Sequence, residues 1–324
     1  VRASLCGAAF LHFGPLQAAS QSVDPSLLSD LTYRPIGPDG NRTIAVMGEP
    51  GNPLVMYVGA ASGGLWKTED GGMSWASIFD DVEVSSVSAM AMAPSDPNVL
   101  WVGTGETFLI RPAHAMGDGI YRSTDAGKSW RKMGLEATGR IARIRIDPRD
   151  DDVVFACALG HAYGPQAERG VYRTMDGGEN WDLVLHVSED AGCVDLAMDP
   201  QNPRILYAGF WDIQIDTWML DSGGPGSGLW RSTDGGGSWE KLSHTGRGLP
   251  SAGDATIGKI SVAVAPSNPD RVYVLTEESS PRLYSSNNGG DSWRLMLTNH
   301  SINELAPYYT RIEVDPENQE RIYF

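Results

Sequence analysis

The eight residues 123–130, STDAGKSW, decide the fold, because close variants of this stretch occur five times along the chain. Each copy begins with Ser or Thr, carries Asp or Asn two residues later and ends with Trp. The copies are TEDGGMSW (68–75), STDAGKSW (123–130), TMDGGENW (174–181), STDGGGSW (232–239) and SNNGGDSW (286–293). The Trp residues stand at 75, 130, 181, 239 and 293, at steps of 55, 51, 58 and 54. A regular spacing of this kind indicates a repeat architecture.

A second marker keeps the same spacing along the chain. Six times a Pro precedes an aromatic residue by seven positions. The pairs are Pro50 and Tyr57, Pro94 and Trp101, Pro148 and Phe155, Pro200 and Tyr207, Pro266 and Tyr273, and Pro316 and Tyr323. Two independent markers in phase indicate that most of the chain is built from one repeated unit.

Each unit holds four short strand patterns separated by Gly-rich and Pro-rich turns. In the second unit the patterns are VSAMAMA (87–93), VLWVGT (99–104), GIYRST (119–124) and KSWRKM (128–133). Four-stranded units repeated around an axis form a β-propeller. We therefore predict an all-β propeller with five blades and two strands of a sixth.

The sequence divides into three segments. Residues 1–21 resemble the remainder of a secretory signal peptide, which predicts an exported chain, either secreted or periplasmic. Residues 22–41 form an N-terminal segment, in which 31–37 resemble the outer strands and are expected to supply the outer strand of the last blade. Residues 42–324 hold the blades, and we expect the remaining blades of the ring to belong to the same full-length chain.

Composition excludes several classes of function. The 324 residues include 41 acidic and 25 basic side chains, a net charge of −16, which disfavours nucleic acid as a partner. The sequence lacks a run of about 18 apolar residues, so no transmembrane segment is predicted. The six His show no metal-ligand spacing, and we expect neither a metal nor a cofactor. Cys157 and Cys193 fall in strand patterns and are most simply two buried thiols, although pairing in an oxidising compartment stays open.

The five repeated turns are interpreted as structural rather than catalytic. A short Asp side chain accepts hydrogen bonds from the N–H groups of a tight turn, and the Trp is expected to pack between blades. The fifth copy has Asn at the Asp position, and Asn cannot act as a general base. The predicted structural residues are Asp70, Asp125, Asp176, Asp234, Asn288, Trp75, Trp130, Trp181, Trp239 and Trp293.

The repeated turn resembles the Asp-box, or BNR repeat, of sialidases, of the sortilin/Vps10 receptor propeller and of xyloglucanase-like glycoside hydrolases. GTGE (103–106), GDGIYRSTDAGKSW (117–130) and GHAYGPQAERGVYRTMDGGENW (160–181) are similar to large bacterial secreted sortilin-like or BNR-repeat glycosyl hydrolases. The resemblance covers roughly residues 31–324. It implies a propeller that binds or hydrolyses an extracellular polymer, most simply a polysaccharide. The alternative is a receptor for protein or peptide, or an envelope scaffold without catalysis. The sialidase branch is disfavoured, because we find no arginine triad for a carboxylate.

The predicted site lies on the face opposite the Asp boxes, where the long loops join strands two and three or connect successive blades. If the chain is an enzyme with a two-carboxylate mechanism, Glu106 and Asp118 are the predicted catalytic residues. Aromatic and polar loop residues are predicted to bind the ligand. They are His161, Tyr163, Trp211, Asp212, Trp218, Tyr308 and Tyr309.

Overall fold

A computed structural model describes residues 42–109, 115–250 and 257–324 of the chain. These residues belong to one compact unit, Gly40–Phe324. They form five antiparallel sheets that each contain a meander of four strands, and a sixth sheet of two strands. The predicted all-β propeller with five blades and part of a sixth is therefore confirmed. The predicted segments 1–21 and 22–41, with the ring-closing residues 31–37, lie outside the described residues.

The strand bounds follow the repeat. In chain order the strands are β1 (Thr43–Glu49), β2 (Asn52–Ala60), β3 (Leu65–Thr68), β4 (Ala76–Ser77), β5 (Val87–Met92), β6 (Leu100–Thr104), β7 (Ile120–Ser123), β8 (Arg131–Lys132), β9 (Ile141–Asp147), β10 (Asp150–Ala158), β11 (Gly170–Thr174), β12 (Asp182–Leu185), β13 (Ala191–Met198), β14 (Leu206–Ile215), β15 (Leu220–Ser222), β16 (Gly228–Ser232), β17 (Glu240–Lys241), β18 (Ile260–Val264), β19 (Val272–Thr276), β20 (Arg282–Ser286), β21 (Arg294–Thr298), β22 (Glu313–Val314) and β23 (Ile322–Tyr323). A four-residue helix, α1, covers Ala306–Tyr309. Short 3₁₀ turns cover Glu136–Thr138, Thr245–Arg247 and His300–Ile302.

The first strands of the six sheets lie side by side in chain order, as β1, β5, β9, β13, β18 and β22. This arrangement places one inner strand of every blade around a common axis. Adjacent blades approach closely there: a Cβ on Gly103 of β6 would lie 2.6 Å from Ile141 of the next blade. The Ser88 hydroxyl also donates to the Ile141 carbonyl at 2.6 Å. Glycine is required at position 103 because a side chain would displace the neighbouring inner strand.

The aromatic residues of the second marker form the packing between blades. In the five complete sheets they are at most 2% exposed: Tyr57, Trp101, Phe155, Tyr207 and Tyr273. The ring of Trp101 packs edge-on against Trp181 of the following blade, with centroids 6.1 Å apart. Tyr323 in the two-stranded sixth sheet is 53% exposed. The marker aromatic is therefore buried in every sheet of four or more strands.

The Asp-box turns connect the third and fourth strands of each blade. In the second box the Ser123 hydroxyl donates to Asp125 at 2.7 Å and accepts the Gly127 N–H at 2.9 Å. Asp125 accepts the N–H and the hydroxyl of Ser129 at 2.9 and 2.6 Å. The donors of Ser129, followed by that of Ser123, hold the pKa of Asp125 at about 2. The carboxylate thus satisfies turn donors, and these bonds leave it little basicity.

Two of the box tryptophans connect neighbouring blades. The indole N–H of Trp130 donates to the Ile78 carbonyl, and that of Trp181 donates to the Met133 carbonyl, both at 2.7 Å. Each acceptor follows the outermost strand of the preceding blade. The box therefore stabilises the contact between blades as well as its own turn.

A disulfide joins Cys157 of β10 to Cys193 of β13. The simpler prediction of two separate buried thiols is therefore wrong. The reason is the close approach of the two strands, since a Cβ on Gly192 would collide with the backbone of Leu159. The bond links the third blade covalently to the fourth and is fully buried.

Candidate functional site

Three neighbouring loops form one continuous surface on the face opposite the Asp boxes. We call residues 160–169, 186–190 and 211–222 the hairpin surface. Its loops are joined by backbone hydrogen bonds from Ile215 to Ala162 at 2.7 Å, from Gln166 to Glu189 at 2.8 Å and from Ile213 to Asp190 at 3.2 Å. Residues that are far apart in the sequence are therefore held in a fixed relation.

The centre of the hairpin surface is an extension of the fourth blade. The sequence predicts a loop from residue 211 onward, and that prediction is wrong, because β14 continues to Ile215 and pairs with β15. The extension is stabilised by burial of alternate residues, Ile213 and Ile215. Trp211, a predicted ligand contact, is consequently fully buried in the strand, and its indole N–H donates to the Ser222 hydroxyl at 2.9 Å.

The tip of this hairpin presents an aromatic side chain to solvent. A 2.7 Å bond from the Asp216 N–H to the Met219 carbonyl closes the turn. Trp218, inside that turn, is 86% exposed, and Met219 is also exposed. Tyr163 on the adjacent loop is 42% exposed and lies over the Arg140 guanidinium, whose Cζ is 5.6 Å from the ring centroid. Among the predicted aromatic contacts whose side chains the structure describes, Trp218 and Tyr163 are accessible.

Two fully buried arginines fix the loop that carries Tyr163. Arg140 donates to the Glu106 carbonyl at 2.8 Å and to the Gly160 carbonyl at 3.1 Å. Arg169 donates to the Gly164 carbonyl at 2.9 Å and to the Asp190 carbonyl. These bonds connect the loop to both neighbouring segments, so Tyr163 is presented from a rigid base.

His161 and Asp212 form hydrogen bonds that hold the loops near Trp218 and Tyr163 in place. The His161 N–H donates to the Gln166 side chain at 2.7 Å, and its Nε2 lies 3.2 Å from the Ala137 carbonyl. The Asp212 carboxylate accepts the Gly226 N–H at 3.2 Å. Both predicted ligand contacts thus have partners within the protein and shape the surface.

Tyr308 and Glu106 lie together beside Arg42, the first described residue. Arg42 donates to the Tyr308 hydroxyl at 2.6 Å and forms a 2.5 Å ion pair with Glu106. The Tyr308 ring packs 5.2 Å from that of Phe108. Burial raises the pKa of Glu106, while the charge of Arg42 opposes the rise. Tyr309 is the last residue of α1.

Asp118, the other predicted catalytic carboxylate, has different neighbours. It accepts the Tyr121 hydroxyl at 2.8 Å and pairs with Lys132 at 2.6 Å, both on the outer strands of its blade. Within the described part of the chain, no hydrogen bond or ion pair joins Asp118 to Glu106, and the two share no partner. Each carboxylate therefore has its own partners, and a catalytic role for the two together stays a prediction.

Sequence reasoning missed several members of the hairpin surface. Glu189 and Asp190 lie in the short connection HVSED (186–190), and Glu168 precedes the buried Arg169. The signal was present in the two adjacent acids of HVSED, but a connection of five residues did not qualify as a long loop. Among the described residues there is no cluster of His, Cys, Asp and Glu suited to a metal ion, and none of their helices has the length and apolarity to cross a membrane.

These features define a β-propeller with Asp-box turns on one face and the hairpin surface on the other. The family model Sortilin-Vps10, described as sortilin, neurotensin receptor 3, matches residues 43–208. The match covers half of the chain, and the chain belongs to the Sortilin-Vps10 family.

Curated relatives are similar to the chain over part of their length. The xyloglucanase Xgh74A of Acetivibrio thermocellus is 25% identical over 229 residues, which cover 60% of the chain and 25% of the relative. A Paenibacillus xyloglucanase is 24% identical over 69% of the chain and 23% of its own length. A Hypocrea jecorina xyloglucanase is 26% identical over 60% of the chain and 24% of its length. The chain spans about a quarter of the length of these relatives.

Solved structures show the same fold. An ancestral GH74 enzyme superimposes with a TM-score of 0.63 at 19% identity, covering 86% of this chain and 34% of that enzyme. The GH74 enzyme of Niastella koreensis gives 0.63 at 17% identity, covering 86% and 43%. At these identities the likeness establishes the propeller architecture.

Proposed function

We propose that this chain is part of an exported propeller that binds polysaccharide through the hairpin surface. The observation that carries the proposal is Trp218, which is 86% exposed at the tip of a hairpin braced against the Tyr163 loop. A large aromatic side chain exposed on a hairpin that neighbouring loops hold in place is a candidate ligand contact. Flat aromatic faces suit sugars because the apolar C–H face of a sugar ring stacks on the aromatic ring.

The relatives favour a glycan over other ligands. The matched proteins are named xyloglucanases, so β-glucans are the first class to test. Export agrees with the Cys157–Cys193 disulfide, because disulfides persist in oxidising compartments.

Binding is the activity that the geometry supports. Hydrolysis by two carboxylates requires both groups to flank one glycosidic bond, about 5–10 Å apart. Glu106 is ion-paired beside Arg42, and Asp118 is held by Tyr121 and Lys132. Catalysis by these residues stays a prediction. It is tested by comparing the release of reducing sugar from a polysaccharide by the unmodified protein and by the Glu106→Gln and Asp118→Asn variants.

The test is calorimetric titration with xyloglucan, mixed-linkage β-glucan and cello-oligosaccharides. We expect Trp218→Ala to weaken binding at least about tenfold, as for a central aromatic contact. The matched control is Met73→Ala, because Met73 is 89% exposed in the first Asp box, on the opposite face. Binding unaffected by Trp218→Ala, or weakened equally by Met73→Ala, would refute the proposed surface. Binding of a protein or peptide, with no glycan bound, would support the receptor alternative.

A further inference from the structure

The hairpin surface has an unbalanced charge. Its three loops contain one Lys or Arg, namely Arg169, and six carboxylates: Glu168, Glu189, Asp190, Asp212, Asp216 and Asp221. Arg169 is fully buried and donates to backbone carbonyls. A ligand approaching Trp218 therefore meets negative charge that no accessible Lys or Arg of these loops offsets.

The acids of the hairpin surface differ from many acids elsewhere on the protein. On other surfaces, ion pairs join Glu179 to Arg131 at 2.9 Å and Glu240 to Arg247 at 3.0 Å. Across the residues that the structure describes, none of the six hairpin-surface carboxylates forms an ion pair with Lys or Arg. The charges of Asp216 and Asp221, the two acids on the hairpin of Trp218, are therefore not offset by a paired Lys or Arg among the described residues.

Two of these carboxylates belong to the same hairpin as the exposed indole. Asp216 opens the turn that contains Trp218, and its N–H bonds the Met219 carbonyl. Asp221 lies on the returning strand, where it pairs in register with Gln214. An exposed indole in the turn and two acids beside it thus belong to one hairpin.

We propose that the hairpin surface prefers a glycan that carries protonated amino groups, such as a chain of glucosamine units, over a neutral glycan of the same length. This inference rests on the proposed function and specifies the class of polysaccharide. The sugar ring stacks on Trp218, and the ammonium groups lie against Asp216 and Asp221. Mildly acidic solution keeps the amino groups of the sugar protonated.

The test compares a glucosamine hexamer with its fully N-acetylated counterpart by calorimetry at mildly acidic pH and low salt. We expect the amine form to bind about five to ten times more tightly, since each exposed charge pair contributes up to about fivefold. The preference should disappear in about 1 M salt, where the Debye length falls to about 3 Å.

Variants that replace Asp by Asn test whether the amine preference depends on Asp216 and Asp221. The double variant Asp216→Asn/Asp221→Asn should lose the amine preference while it still binds the acetylated hexamer. The control Glu179→Gln/Asp182→Asn removes two exposed acids at the third Asp box and should keep the preference. A thermal melt establishes that each variant is folded, and the salt dependence of the unmodified protein tests the charge preference without any variant.

The outcomes separate the two proposals. Equal affinity for the two hexamers, with binding still dependent on Trp218, overturns the amine preference and leaves polysaccharide binding standing. Failure to bind any glycan overturns both. Tighter binding of oligolysine than of the glucosamine hexamer, lost in the Asp216→Asn/Asp221→Asn variant, would assign the surface to a basic peptide and also overturn this inference.

Discussion

The two faces of the propeller are made by the same blades and differ in what they repeat. On the Asp-box face, the first hydroxyl of all five boxes accepts a turn N–H at 2.9 Å. On the opposite face, the loops differ in length and sequence from blade to blade. A feature that recurs in every blade is explained by the stability of the blade. A feature present in only one blade is instead a candidate for ligand binding. The comparison assigns stability to the first face and binding to the second.

The fifth box supports this division. Asn288 accepts the Ser292 N–H at 3.0 Å, as the aspartates do, and donates to the Ser292 hydroxyl at 2.9 Å. The turn therefore forms without a carboxylate. A residue type that is exchangeable without loss of geometry is serving as a turn acceptor rather than as an acid or base.

The largest loss of stability is expected between the two faces, at Asp195 on the inner strand β13. This buried carboxylate accepts from Arg143 at 2.6 Å and from the Val262 N–H at 3.1 Å. Burial opposes its ionisation, yet Arg143 and Ser261 bring its pKa to about 2. Asp195→Ala removes the partner of the Arg143 Nε and the acceptor of the buried Val262 N–H, and should cost about 3–5 kcal/mol in denaturant unfolding. An unchanged free energy of unfolding would show that the Asp195 contacts between inner strands do not stabilise the protein.

The disulfide beneath the loop face should have the next largest effect. Replacing Cys157 and Cys193 together by Ala should lower the free energy of unfolding by about 2–4 kcal/mol, because the unfolded chain regains conformational freedom. Reduction of the unmodified protein is the control and should produce a similar decrease. If reduction leaves the stability unchanged, the covalent link between the third and fourth blades is not stabilising.

A buried hydroxyl of the Asp-box face sharpens the contrast between the faces. Thr174→Val keeps the shape of the side chain but leaves the buried Gly178 N–H without its acceptor, at a cost of about 1–3 kcal/mol. The control is Thr217→Val on the exposed hairpin turn, which should have little effect on stability. Glycan binding should persist in Thr174→Val. Equal losses of stability in the two variants would contradict the division.

A smaller effect is expected in acid. The folded pKa of Asp125 is about 2, below the ordinary value of about 3.9, so the unfolded chain binds this proton more readily. The stabilisation from Asp125 is present above the ordinary pKa and is lost as the pH falls toward 2. Asp125→Asn should lower the melting temperature at neutral pH, and its difference from the unmodified protein should shrink between about pH 4 and pH 2. A constant difference would indicate that the charge of Asp125 does not matter.

The sequence predicted the fold because its two markers recur and fix both the number and the phase of the strands. Features that depend on how one blade meets another were missed. The Cys157–Cys193 pair depends on the close approach at Gly192, which spacing within a single repeat does not show. The extension of β14 was missed because Ile213 and Ile215 lie beyond the repeated pattern.

The candidate site was predictable in part. Trp218 and Tyr163 were identified as aromatic residues on the loop face, and they are accessible there. Trp211 was assigned to the same loop but is buried, since its exposure depends on where the strand ends. The contribution of Glu189 and Asp190 follows from backbone bonds between loops, which lie outside any sequence pattern.

The central claim, that stability and binding reside on opposite faces, is tested most directly by measuring glycan affinity and free energy of unfolding for both Trp218→Ala and Thr174→Val. We predict that Trp218→Ala loses at least about tenfold in affinity while its stability stays within about 0.5 kcal/mol of the unmodified protein. Thr174→Val should lose stability and keep its affinity. A Trp218→Ala variant that binds normally, or a Thr174→Val variant that is folded but no longer binds, would contradict the claim.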